Sequence, residues 1–539
     1  MPATKLKTNS RSTKNLGQQL IRYEYLFYQM KPFHYLLIVF FYSLVQCGVS
    51  CNTNSRGSAK LEGQKLAKTY CISCHSFPDP SLLDKKTWED GVFPRMGELM
   101  YVENYYNPYD PSGPQGNMPD TRAAPENLFP MEKWDKIVAY YLSTAPDKPL
   151  ERTQKVPAVR MELPNFKVHP VYNLIDYPVT TFLNFDTVTK SIIVGDGSER
   201  KVFILNHHLK MIDSIMVPLG VTDINHTLDG MESITMGILK PSDEKLGKLS
   251  IIESGKKPVT IIDSLQRPVQ ATYADLNGDG KEDIIISEFG FRKGSLSWFE
   301  NKGVGKYEKH VLKALPGATV SKVYDFNQDG RPDIAALMAQ ADEAVFIFYN
   351  EGSGKFREEK VLQFPPVYGS NHLELVDINK DGYMDIITTN GDNGDLSTVV
   401  KAYHGIRIFL NDGKNNFIEK IFLPVNGAQK VVARDFDGDG DLDLASIAFY
   451  PDYEHLPEES FIYFENKGNL SFDRFSFPAA TDGRWMTMDA ADVDGDGDID
   501  ILLGNAFFTT GKVPKEYIQK WRKRPVSIML LENTINKKN

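Results

Sequence analysis

Cys71 and Cys74 stand three apart in the stretch "YCISCHSFPDP", and His75 follows the second directly. Two thiols and an imidazole at this spacing form the attachment signature of a c-type haem: the thiols make thioethers and the imidazole ligates the iron. A structural zinc would need four ligands. The chain has four cysteines, and Cys47 and Cys51 lie in or just after an N-terminal apolar stretch, so no further thiol remains in the body. A redox dithiol would use Cys71 and Cys74 but leave His75 unexplained.

A second chemistry recurs farther along. "DLNGDGKED", "DFNQDGRPD", "DINKDGYMD", "DFDGDGDLD" and "DVDGDGDID" begin at Asp275, Asp325, Asp377, Asp435 and Asp492. Positions 1, 3, 5 and 9 offer side-chain oxygens. The sets are Asp275, Asn277, Asp279 and Asp283; Asp325, Asn327, Asp329 and Asp333; Asp377, Asn379, Asp381 and Asp385. The last two sets are wholly acidic: Asp435, Asp437, Asp439 and Asp443; Asp492, Asp494, Asp496 and Asp500. Hard oxygen donors at this density predict about five Ca²⁺, with the glycine at position 6 permitting the sharp turn. These are not EF-hands, because position 12 is Ile286, Ala336, Thr388, Ser446 or Leu503 rather than Glu, and strand-like runs follow.

The elements that must position these groups differ in kind. "GSAKLEGQKLAKTYCISCH" reads as an amphipathic helix entering the cysteine motif, and "FPMEKWDKIVAYYLSTAP" as a second helix with apolar residues at helical spacing. After a Pro- and charge-rich linker at 151–165, units of about 50 residues repeat, each with short strands and an Asn-x-Gly turn such as "FENKG" or "FYNEG". Two degenerate units precede the five with acidic loops. Seven units predict a closed seven-bladed β-propeller over 166–539, since isolated blades would leave edges unpaired. The fold class is therefore multidomain: a small all-α domain at 51–150 and an all-β propeller.

The segment 1–50 reads as a signal region. Its apolar core, "YLLIVFFYSLV", is too short to span a bilayer, and Met30-Lys31 could mark the true start. Ser50-Cys51 resembles a bacterial lipoprotein cleavage site, which makes Cys51 the lipidation candidate, with plain secretion as the alternative. Formal net charge is −10, which argues against a nucleic-acid partner.

The helical segment resembles class I cytochromes c, in which the terminal helices cross near the haem. The resemblance implies a distal methionine. Met96, in "KKTWEDGVFPRM", sits in a Trp-to-Pro-x-Met element of that type, and Met118, in "GNMPD", is the alternative. A thioether ligand favours electron transfer over catalysis at the iron. The repeats resemble FG-GAP/VCBS calcium repeats of integrin-type propellers. Together the two parts resemble exported bacterial lipoproteins that join an N-terminal cytochrome c domain to such a propeller. This implies one covalent haem c, bound calcium, and a lipid anchor in a bacterial membrane, the outer membrane in this reading, facing the periplasm or the surface.

Three functions fit this architecture. The first is an electron carrier whose propeller docks a partner: a redox protein or a small-molecule electron donor or acceptor. The second is a propeller dehydrogenase passing electrons to the haem. Trp298, Trp485 and Trp521 lack a common register, which weighs against that reading. The third is an adhesive or scaffolding propeller with a sensory haem. Whether the chain is an enzyme stays open, with the electron carrier preferred. Three insertions, "GDNGDLSTVVKAYHG", "YPDYEHLPEES" and "TTGKVPKEYIQKWRKR", lengthen the last three units and should project from one face. Asp392, Asn393, Asp395, Lys401 and His404 in the first make it a candidate docking loop. The alternative is a loop that caps its own blade.

Overall fold

The computed structural model describes residues 58–103, 128–154, 157–227, 230–394, 397, 399–508 and 510–536. The signal region, Cys51, Met118 and Asp395 lie outside the described residues. Strands β1 (Phe166–Tyr172) to β28 (Val526–Asn533) form seven four-stranded sheets. Blade 1 holds β2–β5 (180–216), blade 2 β6–β9 (221–265) and blade 3 β10–β13 (268–313). Blade 4 holds β14–β17 (318–363), blade 5 β18–β21 (370–424) and blade 6 β22–β25 (428–475). Blade 7 holds β26–β28 (485–533) and takes β1 as its outer strand.

Burial explains the strand pattern. The second strands of blades 3 to 7 are buried at all six residues, because each lies between two neighbouring blades. Hence the continuous apolar runs "DIIISE" and "DIAALM", which do not alternate. The outer strands alternate or are exposed, as in β13 and β17. The ring closes in two ways. β1 pairs antiparallel with β28, Phe166 opposite Asn533. In addition, Asp489 on β26 accepts from the Phe185 backbone N–H on β2 at 2.8 Å and from Asn184 Nδ2 at 3.2 Å.

Among the described residues four helices lie outside the strands: α1 (58–70), α2 (85–99, with a π-helical middle at Trp88–Val92), α3 (Met131–Thr144) and α4 (Lys515–Lys523). α1 and α3 cross at Gly63, where an added Cβ would stand 2.3 Å from the Lys136 carbonyl oxygen. Lys136 also pairs with Glu62 at 2.9 Å. Trp88, Phe93, Trp134, Tyr140 and Tyr141 fill the helical core, and Val367 and Tyr403 of the propeller belong to the same core. The helices therefore sit on the propeller rather than apart from it. Ser76 Oγ donates to the Phe364 carbonyl at 3.1 Å, and Arg292 donates to Tyr101 Oη at 3.2 Å. The segment expected as a linker is also docked: Arg152 pairs with Glu459 at 3.1 Å, and Arg160 exchanges backbone bonds with Arg474 and Ser476.

Candidate functional site

Each acidic loop joins the first and second strands of its blade, so all five lie on one face. Within a loop the first aspartate gathers backbone N–H groups. Asp275 Oδ1 accepts from Gly278 and Asp279 at 2.8 and 3.1 Å, and its Oδ2 from Gly280 at 2.8 Å. The position-6 glycines, 280, 330, 382, 440 and 497, have φ between +82° and +95°, the left-handed turn a side chain would disfavour. The ninth aspartate is a strut. Asp283 Oδ2 accepts from the Leu276 N–H at 3.1 Å and Oδ1 from the Asn301 N–H at 2.8 Å. Asp333, Asp385, Asp443 and Asp500 repeat the pattern, with Asn350, Asn411, Asn466 and Asn533 as the distant donors. The sequence shows both the ninth aspartate and the closing asparagine, but not that they bond to each other.

Burial raises the carboxyl pKa of Asp385 to about 6 and those of Asp443 and Asp500 to about 7, and the neighbouring acids push the same way. Such a cluster is relieved by a cation. Carboxylate oxygens of Asp435, Asp437 and Asp443 lie within 4.8 Å of one another, as do those of Asp492, Asp494 and Asp500. The donor set fits a hard divalent ion. The loops differ at position 7, a distinction the sequence reading overlooked. Lys281 pairs with Asp279 at 2.8 Å and Arg331 pairs with Asp329, whereas blades 6 and 7 carry Asp441 and Asp498 there.

Cys71 opens a single 3-10 turn, Cys71–Ser73, continuous with α1. Both thiols are free, Cys71 half-buried and Cys74 exposed. Burial pushes the Cys71 thiol up to about 11. His75 Nδ1 lies 2.8 Å from the Ser76 carbonyl, which only a ring N–H can satisfy. That tautomer leaves the lone pair on Nε2, as an iron-ligating histidine requires. Met96, on α2, packs against the same helical core as Cys71, as do Met100 and Met131. The residues present thus fit a covalently held haem: two free thiols, an oriented imidazole, and thioethers in one apolar body.

The candidate docking loop needs correction. Lys401 and His404 are only 5% and 4% exposed, so they are not offered to a protein partner. Lys401 Nζ donates to the carbonyls of Asn393, Ser397 and Val399, and His404 Nε2 lies 2.9 Å from Asn393 Oδ1. The insertion satisfies its own backbone and packs inward, because its apolar neighbour Tyr403 is drawn into the helical core. Asp392 remains on the surface.

Fold and loops together define a seven-bladed β-propeller with five acidic loops on one face and the N-terminal helices on the opposite face. The FG-GAP-like repeat family matches residues 275–336 and 325–388, from the acidic loop of blade 3 to the second strand of blade 5. Integrin alpha-PS3 of Drosophila melanogaster is 29% identical over 157 residues, covering 25% of this chain and 14% of that protein. Integrin alpha-PS5 of the same organism is 37% identical over 94 residues, covering 15% and 9%. The chain thus spans a small part of the length of these relatives. The crystal structure of the N-terminal domain of Nup159 aligns with 11% identity and a TM-score of 0.39, over 70% of this chain and 97% of that structure.

Proposed function

We propose that this chain is an exported mono-haem c-type cytochrome that carries electrons, with its propeller serving as a calcium-stabilised docking body. The observation that carries the reading is the Cys71, Cys74 and His75 set at the end of α1, with both thiols free and His75 Nδ1 engaged by a carbonyl. Cys71 and Cys74 would hold haem c through thioethers and His75 Nε2 would face the iron. Met96 would be the distal ligand, with Met118 the alternative. Haem, when bound, supplies a one-electron couple that a thioether ligand shifts upward. Trp88, Phe93 and Tyr141 keep that side of the body dry.

The docking role is supported by the FG-GAP repeats shared with integrin alpha chains. The five loops would hold about five Ca²⁺, pinning the first two strands of blades 3 to 7. Cys51 would anchor the protein by lipid in a bacterial membrane, and a redox protein or small-molecule donor or acceptor would be its partner. A second reading, a propeller dehydrogenase feeding the haem, draws support from a cavity on the helix-bearing face.

Production in a host with the c-type maturation machinery tests the reading. The protein should carry covalent haem by intact mass and by its reduced spectrum. Cys71→Ala and Cys74→Ala should each abolish two-thioether attachment, and Met96→Ala should turn a low-spin ferrous spectrum high-spin. An unchanged spectrum moves the ligand to Met118; absence of covalent haem refutes the proposal.

A further inference from the structure

Helix α4 lies in the longest of the loops that join the second strand of a blade to the third, 506–525 in blade 7. The acidic loops join first strands to second, so α4 stands on the opposite face of the propeller. Its sequence, "KEYIQKWRK", has two unlike sides. Trp521 is buried, and its Nε1 donates to the Thr481 carbonyl at 2.9 Å. Tyr453 of the neighbouring blade packs on Tyr517 and Trp521, with ring centroids 4.9 and 6.0 Å apart. The apolar side is therefore used up on the propeller, which holds the helix in place.

The other side is basic. Lys515, Gln519, Arg522 and Lys523 recur at helical spacing and are exposed. Residues 512–524 hold six bases, Lys512, Lys515, Lys520, Arg522, Lys523 and Arg524, against one acid, Glu516, in a chain of net charge −10. Two of the six are paired: Lys512 with Glu454 and Lys520 with Asp482, both at 2.6 Å. Lys515, Arg522, Lys523 and Arg524 have no acidic partner within ion-pair distance among the described residues. Aromatic rings lie beside them instead. Arg524 sits over the Tyr172 ring at 3.7 Å and Arg522 over Phe507 at 5.9 Å. Phe507 in turn meets Tyr177 at 6.1 Å, and Tyr177 is 64% exposed.

We infer that this face of α4 docks on an anionic lipid surface, with Lys515, Arg522, Lys523 and Arg524 against headgroup phosphates and Tyr177 at the headgroup level. Charge complementarity carries the inference. Bases without acidic partners, held together on one rigid surface, are attracted to negative lipid, and each adds to the attraction. Tyrosine, an apolar ring with a polar tip, favours the headgroup region. The charge layout also sets the approach. The five acidic loops lie on the far face and are repelled by such a surface, so the field of the whole molecule turns α4 toward the lipid. Docking is electrostatic rather than insertive, because the apolar side of α4 is packed on the propeller. The N-terminal helices share this face and are brought to the lipid with it. The inference depends neither on haem nor on a lipid at Cys51.

The test is co-sedimentation of the full chain with vesicles of phosphatidylcholine alone and with about a third phosphatidylglycerol, an anionic lipid. The anionic lipid should strengthen binding. That gain should vanish between about 0.1 M and about 1 M salt, as the screening length shrinks from about 10 to about 3 Å. Each base is worth about fivefold in such partitioning, so Arg522→Gln with Lys523→Gln should weaken binding roughly thirtyfold. Both side chains are exposed, so the melting temperature should not move. Lys306→Gln with Lys355→Gln makes the same change of charge at exposed positions in the turns on the acidic face, and should leave binding intact. Residues 1–57 are the same in all three chains, so a difference between the chains belongs to the patch. No gain in binding on anionic vesicles overturns the inference. So does affinity unchanged by the α4 pair, or weakened equally by both pairs. Retention on immobilised polyglutamate without vesicle binding gives the patch to an acidic protein and overturns it as well.

Discussion

The side-chain amide of Asn533 donates to the backbone carbonyl of Phe436 at 2.7 Å, across 97 residues of chain. Asn533 ends the third strand of blade 7, and Phe436 is the second residue of the acidic loop of blade 6. Asn350 makes the same bond to Leu276, from blade 4 to blade 3, at 2.8 Å. Asn415 of blade 5 reaches Phe326 of blade 4 at 2.9 Å. At these three junctions the asparagine turn of one blade clasps the acidic loop of the blade before it.

Asn350→Ala should therefore loosen an interface between blades as well as a turn. Its side chain also donates to the Pro332 carbonyl and accepts from the Gly352 N–H. Stranding these buried groups should cost about 1–3 kcal/mol, read as a lower urea midpoint with unchanged m-value.

The α1–α3 crossing makes a second prediction. Gly63→Val would drive a branched side chain against the Lys136 carbonyl and Tyr140 Cβ, both backbone-anchored. Overpacking there should cost about 1–3 kcal/mol, and the helices should separate. Tryptophan fluorescence follows this through Trp88 and Trp134, which are buried in that core. Unaltered stability and emission would mean that the helices do not cross in contact.

Calcium should be held in classes, not equally. Loops with more charge and no competing base bind more tightly. Blade 7 should keep its ion longest under a graded chelator and blade 6 next, since Lys380 pairs with Asp441 at 3.2 Å, while Lys281 and Arg331 should weaken those of blades 3 and 4. Lys281→Ala should tighten its site, and Asp439→Ala should lose one ion by elemental analysis. Full chelation should lower the melting temperature, since an ion at about 100 times its Kd contributes about 2.7 kcal/mol. Undialysed protein free of calcium would end this account.

Glu343 gives a pH dependence of definite sign. Its carboxyl is buried, accepts from Ser370 N–H and Oγ at 2.8 and 2.6 Å, and is pushed up by burial to about 7. The folded protein therefore holds this proton where the unfolded chain, near 4.5, has released it. The stability it contributes is full below about pH 4.5 and is lost as pH rises to about 7. Glu343→Gln should remove a slope of up to about 1.4 kcal/mol per pH unit in that window. Matching pH profiles for the two proteins would show Glu343 titrating normally. His372, pushed down by burial to about 4, acts with opposite sign between about 4 and 6.5, so the variant comparison is needed to isolate Glu343.

Blade count and the place of each acidic loop are legible in the amino-acid order alone. Turn chemistry and strand runs are local: a glycine at +82° or a buried six-residue strand leaves its mark on neighbouring residues. The cysteine motif and its two flanking helices were legible for the same reason. Long-range pairing was not. Nothing in "FKVHPVY" says that it completes the last blade, because its partner β28 lies at the far end of the chain. Lys401 and His404 look like surface groups when read in order. They face inward only because loops from blades 5, 6 and 7 converge and Tyr403 is taken into the helical core. Periodicity records whether a residue is buried, and only the closed ring decides against what.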